Sequence, residues 1–399
     1  MLDPDNTTQS DLRGGLPPWS VGFKPPARRP VRESFRCDVL VVGGGITGSL
    51  AAEHLTRRGH RVCLIDRERP GFGSTAASTA MLQWEIDASL AELTGWYGFD
   101  RAAHIYRLSL DAVTGLKQLV SDLRAHCAFR DRSSLYITGG TTGADEIRNE
   151  LALRERAGLP GVFLDYLPLK REFGLDREAA LFSPGSADAD PLQLSHALLA
   201  SAISQGAQVF EAEAVGYLNA PGSVTVALDS GYEIEAGHVV LATGYVMPDF
   251  VKTDLHKVSS SWAIATPPQE PKNLWRQGVL IWEASEAYNY ARTTGDDRIV
   301  LGGEDDDRIV EPDDRDSKTP EKMMVLLQKL SKLWPAAEAR ADFAWSGAFG
   351  ETADGLPLIG QVPGHPRIVA AYGYGGNGIT FSYLASRLIG RTIAGDRED

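Results

Sequence analysis

The chain has 399 residues, 43% of them apolar and 23% charged, an ordinary globular composition with length enough for two intimately packed domains. A formal net charge of −13 disfavours nucleic acid or an anionic membrane surface as a partner. Three cysteines, Cys37, Cys63 and Cys127, lack metal-ligand spacing and suit a reducing compartment, so no metal site is expected. No run of about 18 apolar residues offers a membrane span, and the first residues carry neither a basic start nor an apolar signal core. A cytoplasmic location is expected.

Residues 1–35 are rich in Pro, Gly and Arg and read as an extended arm lying on the surface. Residues 37–66 carry the strongest signal. The apolar run Val39 to Val42 enters Gly43-Gly44-Gly45-Ile46-Thr47-Gly48, a helical pattern follows, and a second apolar run, Val62 to Ile65, ends on Asp66. This is the order of a dinucleotide-binding fingerprint. Gly43 permits the tight turn, Gly45 lacks a Cβ that would block a pyrophosphate, and Gly48 lets the helix lie close to the strand. The helix start aims unpaired N–H groups at the phosphates, and Asp66 can accept hydrogen bonds from a ribose diol. Residues 71–80, GFGSTAASTA, offer backbone N–H groups and the hydroxyls of Ser74, Thr75 and Ser78 to a phosphate or ring.

Helices are expected from about Phe99 to Cys127, Asp145 to Ala157 and Pro191 to Gln205, with strands at Ser133 to Thr138 and Gln208 to Phe210. Residues 224–228 and 238–242 read as strands, the second leaving through Ala242-Thr243-Gly244-Tyr245. Trp262 to Ala265, Val279 to Trp282, Tyr288 to Arg292 and Ile299 to Leu301 read as a separate antiparallel sheet, with Tyr288, Tyr290 and Arg292 on one face. The acidic run 304–316 reads as a solvated loop without calcium-loop spacing. Thr319 as N-cap and Pro320 start a helix that Pro335 stops. Ile368 to Ala371 reads as a strand, Gly373-Tyr374-Gly375-Gly376-Asn377-Gly378 as a glycine cluster, and about Ile379 to Ala394 as a last helix.

The fingerprint at one end, with DGLPLIG (Asp354 to Gly360) and GYGGNGITFS (Gly373 to Ser382) at the other, resembles the FAD-dependent oxidoreductases of the D-amino-acid oxidase family. That group includes glycine oxidase, sarcosine oxidase and bacterial amine oxidoreductases. The resemblance covers residues 37–394. It implies an α/β fold, α+β overall, in which a discontinuous Rossmann-like FAD-binding domain (36–80, 186–249 and 341–399) is interleaved with an antiparallel-sheet substrate domain (81–185 and 250–340). It also implies FAD contacts at Gly43, Gly45, Ile46, Thr47, Gly48, Asp66 and Arg67, and at Gly73, Ser74, Thr75, Ser78 and Thr79. Further contacts fall on Thr243 and Gly244, then on Gly375, Gly376, Asn377, Gly378, Ile379 and Thr380. N–H groups from Gly376 to Ile379, with Asn377 and Gly378 among them, would stabilise the negative edge of the reduced ring.

The chemistry so implied is hydride transfer to flavin N5 from a carbon beside nitrogen, in a small amine or an N-substituted amino acid, with oxygen or another acceptor taking the electrons. No cysteine stands near Phe349 and no histidine within 73–79, so the FAD is expected to be non-covalent. Arginines that clamp a substrate carboxylate in relatives are missing from Ser346 to Gly350 and from Gly373 to Asn377, so a substrate carboxylate is either held differently, with Arg292 the candidate, or absent. Trp84 and Glu85, or Asp87, could receive an ammonium group, and Tyr290 is a pocket candidate. Three alternatives stay open: oxidation of an alcohol carbon, an electron-transferring subunit of a larger dehydrogenase, and a flavin-binding protein without turnover.

Overall fold

The computed structural model describes residues 12–26, 28–140, 142–251, 253–284, 289–309 and 311–396. Two mixed sheets organise it. In the nine-stranded sheet, Glu233–Leu241, Phe35–Val42, Val62–Asp66 and Gln208–Glu211 lie side by side and parallel, with Val239 opposite Leu40 and Val39 opposite Val62. Val39, Leu40, Val41, Leu64 and Ile65 are all fully buried, the pattern of a parallel sheet covered on both faces. The helices Ile46–Arg57, Pro191–Ser204 and Gly378–Ala394 pack together against it. A meander, Ala214–Ala220 and Ser223–Leu228, extends one edge, and His365–Tyr372 joins the C-terminal half of Glu233–Leu241 in parallel.

The ten-stranded sheet runs through Phe343–Thr352, His256–Ala265, Ile299–Asp306, Asn289–Thr293, Leu280–Ala284, Arg130–Thr138 and Ala179–Asp188. It is antiparallel except where Leu280–Ala284 meets Arg130–Thr138 in parallel, a departure from the purely antiparallel sheet expected. The helix Thr319–Leu333 covers it, its apolar side (Leu326, Leu330, Leu333) meeting Trp262, Ile264, Ile299 and Leu301.

Four expectations need correction. Phe343–Thr352 falls in the stretch assigned to the nucleotide-binding part, yet it pairs along its whole length with His256–Ala265. The N-terminal arm is not simply laid on the surface. Arg13–Gly15 adds an edge strand beside Trp345–Gly347, Arg29–Pro30 pairs with Phe210 and Glu211, and Trp19 is buried edge-on against Trp345 at 5.5 Å. The acidic run is not all loop, since the sheet strand continues to Asp306 and Pro312–Ser317 is a short helix with Arg315 buried. The helix after it has Lys318 as its N-cap, with Thr319 and Pro320 already inside its first turn. Tyr288 lies outside the described residues.

Candidate active site

A cavity of about 660 Å³ runs from Asp66 and Arg67, past the glycine turn, to the face of the ten-stranded sheet and the start of the last helix. Gly43 enters the turn with φ of 102°, and any side chain there would drive into the carbonyl of Ala242. Asp66 holds the turn closed. Its Oδ2 accepts the Gly44 N–H at 2.6 Å and its Oδ1 the Glu68 N–H at 2.8 Å, leaving a second lone pair on each oxygen. Burial pushes its carboxyl up, and those two N–H donors oppose the shift. Gly45 opens on the cavity, where an added Cβ would meet only the Thr75 hydroxyl, at 3.1 Å. Thr75 also accepts the Ile46 N–H at 2.9 Å, which ties the 73–79 loop to the helix start.

Thr47 lies within 2.7 Å of the Ser382 hydroxyl and 3.3 Å of the Tyr374 hydroxyl. These bonds lock the fingerprint helix to the last helix. Gly48 and Thr380 do not reach the cavity. Gly48 faces the Gly43 carbonyl, and Thr380 donates to the Gln83 carbonyl at 2.8 Å. The other expected contacts all line it: Gly73, Ser74, Ser78 and Thr79 on one loop, Thr243 and Gly244 on another, and Gly375, Gly376, Asn377, Gly378 and Ile379 at its far end.

At that far end the Gly376 N–H is not free. It donates to Asp87 Oδ2 at 2.6 Å, and a Cβ on Gly376 would stand 2.7 Å from Asp87 Oδ1. The expectation that Gly376 itself stabilises a ring edge is therefore corrected. The helix that begins at Gly378 has no side-chain cap, so its positive end still faces the cavity. Asn377 fastens the segment by donating to the Glu85 and Gln83 carbonyls at 2.8 and 3.2 Å.

Three substrate candidates have their polar groups engaged within the protein, and two of them lie away from the cavity. Trp84 is fully buried, gives its indole N–H to the Pro184 carbonyl at 2.9 Å and lies under Arg154, away from the cavity. Glu85 does line the cavity, but its carboxylate is taken up in a buried network with Ser134, Ser186 and Arg154. Arg154 in turn binds Glu150, whose oxygens accept the Leu90 and Ala91 N–H groups. Arg292 is no carboxylate clamp. It donates to the carbonyls of Thr79 and Ala189 and stands 3.6 Å from the buried Asp188, which also pairs with Arg130 and Arg132. It anchors the 73–79 loop to the sheet. The physical reason is shared: each polar group belongs to a fully buried stretch and must find its partners inside the protein.

Tyr290 does face the cavity. On the sheet, Trp282, Tyr290, Gly302, Ala263 and Trp345 stand opposite one another in register and form a single row across it. The Tyr290 ring lies over Gly302, where a Cβ would collide with it. Its hydroxyl is 3.4 Å from Ser261 Oγ, and burial keeps the phenol protonated. Trp282 and Asp305 are among the cavity residues that sequence reasoning missed. Asp305 was hidden in the acidic run, and only a change of strand register turns it inward.

A dinucleotide suits this lining. The cradle is glycine where a Cβ would fill it, and three lining residues carry buried polar atoms with no protein partner: Gln83 Nε2, Asn377 Oδ1 and Trp282 Nε1. Among the described lining residues Arg67 is the single cation, held at 3.0 Å by Glu213 at the ribose end.

Fold and cavity together define a two-layer dinucleotide-binding protein whose cofactor channel ends against a second sheet. The family described as FAD dependent oxidoreductase (DAO) matches residues 38–392, and the chain belongs to it. It is 26% identical to the gamma-glutamylputrescine oxidoreductase of Escherichia coli (strain K12), over 92% of this chain and 86% of that one. It is 25% identical to the glycine oxidase of Bacillus subtilis (strain 168), over 89% and 92%. The crystal structure of glycine oxidase from Geobacillus kaustophilus shares the fold with a TM-score of 0.77 at 20% identity, covering 91% of this chain and 96% of that one. The protein is thus an FAD-dependent oxidoreductase, with the FAD-binding fold of that family. Among the described residues no helix is long and apolar enough to cross a membrane.

Proposed function

We propose that this chain oxidises a C–N bond in a small amine or N-substituted amino acid, in the cytoplasm, with non-covalent FAD and with oxygen or another acceptor downstream. Gly43, Gly45, Ile46, Thr47, Asp66, the 73–79 loop and Gly378-Ile379 would hold the cofactor along the cavity. When bound, FAD supplies the two-electron acceptor for hydride leaving the carbon beside nitrogen.

One observation carries the choice of substrate. The sheet-facing end of the cavity is lined by Ala263, Tyr290, Trp345, Asp87 and Asp305, with no arginine among the described lining residues there. Such a site favours an amine over an acid. The relatives named as glycine oxidase and gamma-glutamylputrescine oxidoreductase support a nitrogen compound. The protein's part is position and dryness. Ala263, Trp345 and Phe349 exclude water, Arg292 and Thr75 fix the 73–79 loop, and the Thr47–Ser382 contact fixes the last helix. Tyr290 stays neutral and keeps its proton. The three described cysteines are buried thiols without a disulfide, which supports a reducing compartment.

The test is anaerobic bleaching of the visible flavin absorbance by a panel of primary amines, N-methyl amino acids and 2-hydroxy acids. Bleaching by nitrogen compounds alone is expected. Bleaching by hydroxy acids alone overturns the reading.

A further inference from the structure

The strand Ile299–Asp306 breaks its own alternation. Opposite it, Trp262 pairs with Gly303 but Ser260 pairs with Asp306, so the register slips by a residue, and Glu304 takes φ of 62°. Such a bulge re-aims the side chains beyond it. Glu304 turns out to Lys322, at 3.4 Å, and to Lys329 on the covering helix. Asp305 turns in to the cavity.

There Asp305 meets a prepared surface. Ser261, which bridges toward Tyr290 at 3.4 Å, also hydrogen-bonds the Asp305 carboxylate. Asp87 and Glu351 lie within electrostatic reach. In the adjoining row Trp282, only 9% exposed and stacked on Tyr136 at 4.1 Å, has an indole N–H with no acceptor in the protein. Two carboxylates, Asp87 and Asp305, thus face one space beside an unsatisfied buried donor, and a polar ligand there would complete them.

Resting on the amine-oxidation reading above, we infer that Asp305, with Asp87 beside it, holds a second, non-reacting cationic nitrogen of the substrate, which makes the preferred substrate class a diamine or its mono-N-substituted form. The reacting nitrogen cannot be the one held. Loss of hydride from its neighbouring carbon needs the nitrogen lone pair, and a carboxylate partner would keep that nitrogen protonated. The carboxylates therefore suit the far end of the molecule. Asp305 and Asp87 line the cavity, and both residues keep exposed surface there for a ligand. Burial pushes the Asp305 carboxyl up to about 6, with Asp87 and Glu351 adding to the shift and Ser261 and Lys322 opposing it. The phenol of Tyr290, facing it from the next strand, stays neutral.

The experiment compares short α,ω-diamines with alkylamines of equal length on the holoenzyme, for the wild type, Asp305→Asn, Asp305→Glu and Asp307→Asn. Asp307 lies on the same segment, exposed and 3.5 Å from Lys257. Wild type should prefer the diamine, with its KM rising as pH falls through about 6. D305N should cut that preference roughly tenfold to a hundredfold, through KM more than kcat, as loss of a charge-assisted hydrogen bond implies. D305E should restore part of it, and D307N should leave it intact. Equal treatment of diamine and monoamine by the wild type overturns the inference without needing any variant. An equal loss on both amines in D305N, with flavin absorbance retained, also overturns it. Wild type bleached by no amine at all refutes instead the amine-oxidation reading beneath it.

Discussion

Two glycines three residues apart should fail for different reasons, and the difference tests where the pyrophosphate lies. A Cβ on Gly48 would come within 3.0 Å of the Gly43 carbonyl carbon, closer still to its oxygen, and 3.3 Å from Val41 Cγ1. These are atoms of the strand and turn that cannot swing aside, so the helix must retreat by roughly 1 Å to restore a van der Waals gap. A backbone conflict of this kind belongs at the upper end of overpacking, about 3 kcal/mol. With an unfolding entropy of about 2.1 cal/mol/K per residue, a chain of 399 residues shifts by about 1.2 °C per kcal/mol. Gly48→Ala apoprotein should therefore melt about 4 °C below wild type.

Gly45→Ala meets only the Thr75 hydroxyl, at 3.1 Å, and its apoprotein should melt like the wild type. Its methyl group instead enters the cavity where the phosphates would approach the helix start. Losing one amide–phosphate hydrogen bond, about 1.5–3 kcal/mol, raises the Kd for FAD about tenfold to a hundredfold. Melting curves of the stripped proteins and FAD titration by fluorescence quenching separate the two effects. Wild-type FAD affinity in Gly45→Ala, or an unshifted Gly48→Ala apoprotein, would refute the reasoning.

Three further outcomes follow from the packing. Arg154→Ala strips the partner from Glu85 and Glu150 in a fully buried network and should cost about 3–5 kcal/mol in urea unfolding, so that Glu85 affects stability before turnover. Trp19→Ala removes a buried ring whose N–H donates to the Ala76 carbonyl at 2.6 Å; stability should fall by about 3–5 kcal/mol and FAD should dissociate faster, as stopped-flow exchange would show. His54, half-buried beside Arg387, has its imidazole pushed down to about 3, first by its burial and then by Arg387. The unfolded chain binds that proton from about pH 6.5 downward and the folded one does not. Stability should thus decline as pH falls from about 6.5 toward 3, and His54→Asn should flatten that slope in pH-resolved melting.

What the sequence made legible depended on whether a residue's neighbours are close in the chain. The turn at Gly43 to Gly48, its flanking strands and Asp66 form one βαβ unit, so spacing alone placed them. The 73–79 loop and the last glycine cluster were found through motif order, and both line the cavity. Trp84, Glu85 and Arg292 were given ligands because their chemistry suggested one, while the partners of their polar groups, Pro184, Ser186 and Asp188, lie on a strand about a hundred residues away. A polar residue in a buried stretch carries no mark saying whether protein or ligand will satisfy it.

Asp305 is the converse case. In the run Glu304-Asp305-Asp306-Asp307 every residue has similar chemistry, and strict alternation from Gly302 would send Glu304 to the cavity face. The bulge reverses that choice, since Glu304 finds Lys322 and Lys329 on the covering helix while Asp305 takes the inward position. Lys322 and Lys329 therefore help to orient Asp305 without touching the cavity. Replacing both with Met should free Glu304, let the strand return to regular register and weaken any diamine preference. Retention of that preference in the double variant, with Asp305 intact, would mean that Glu304 is held by its backbone alone.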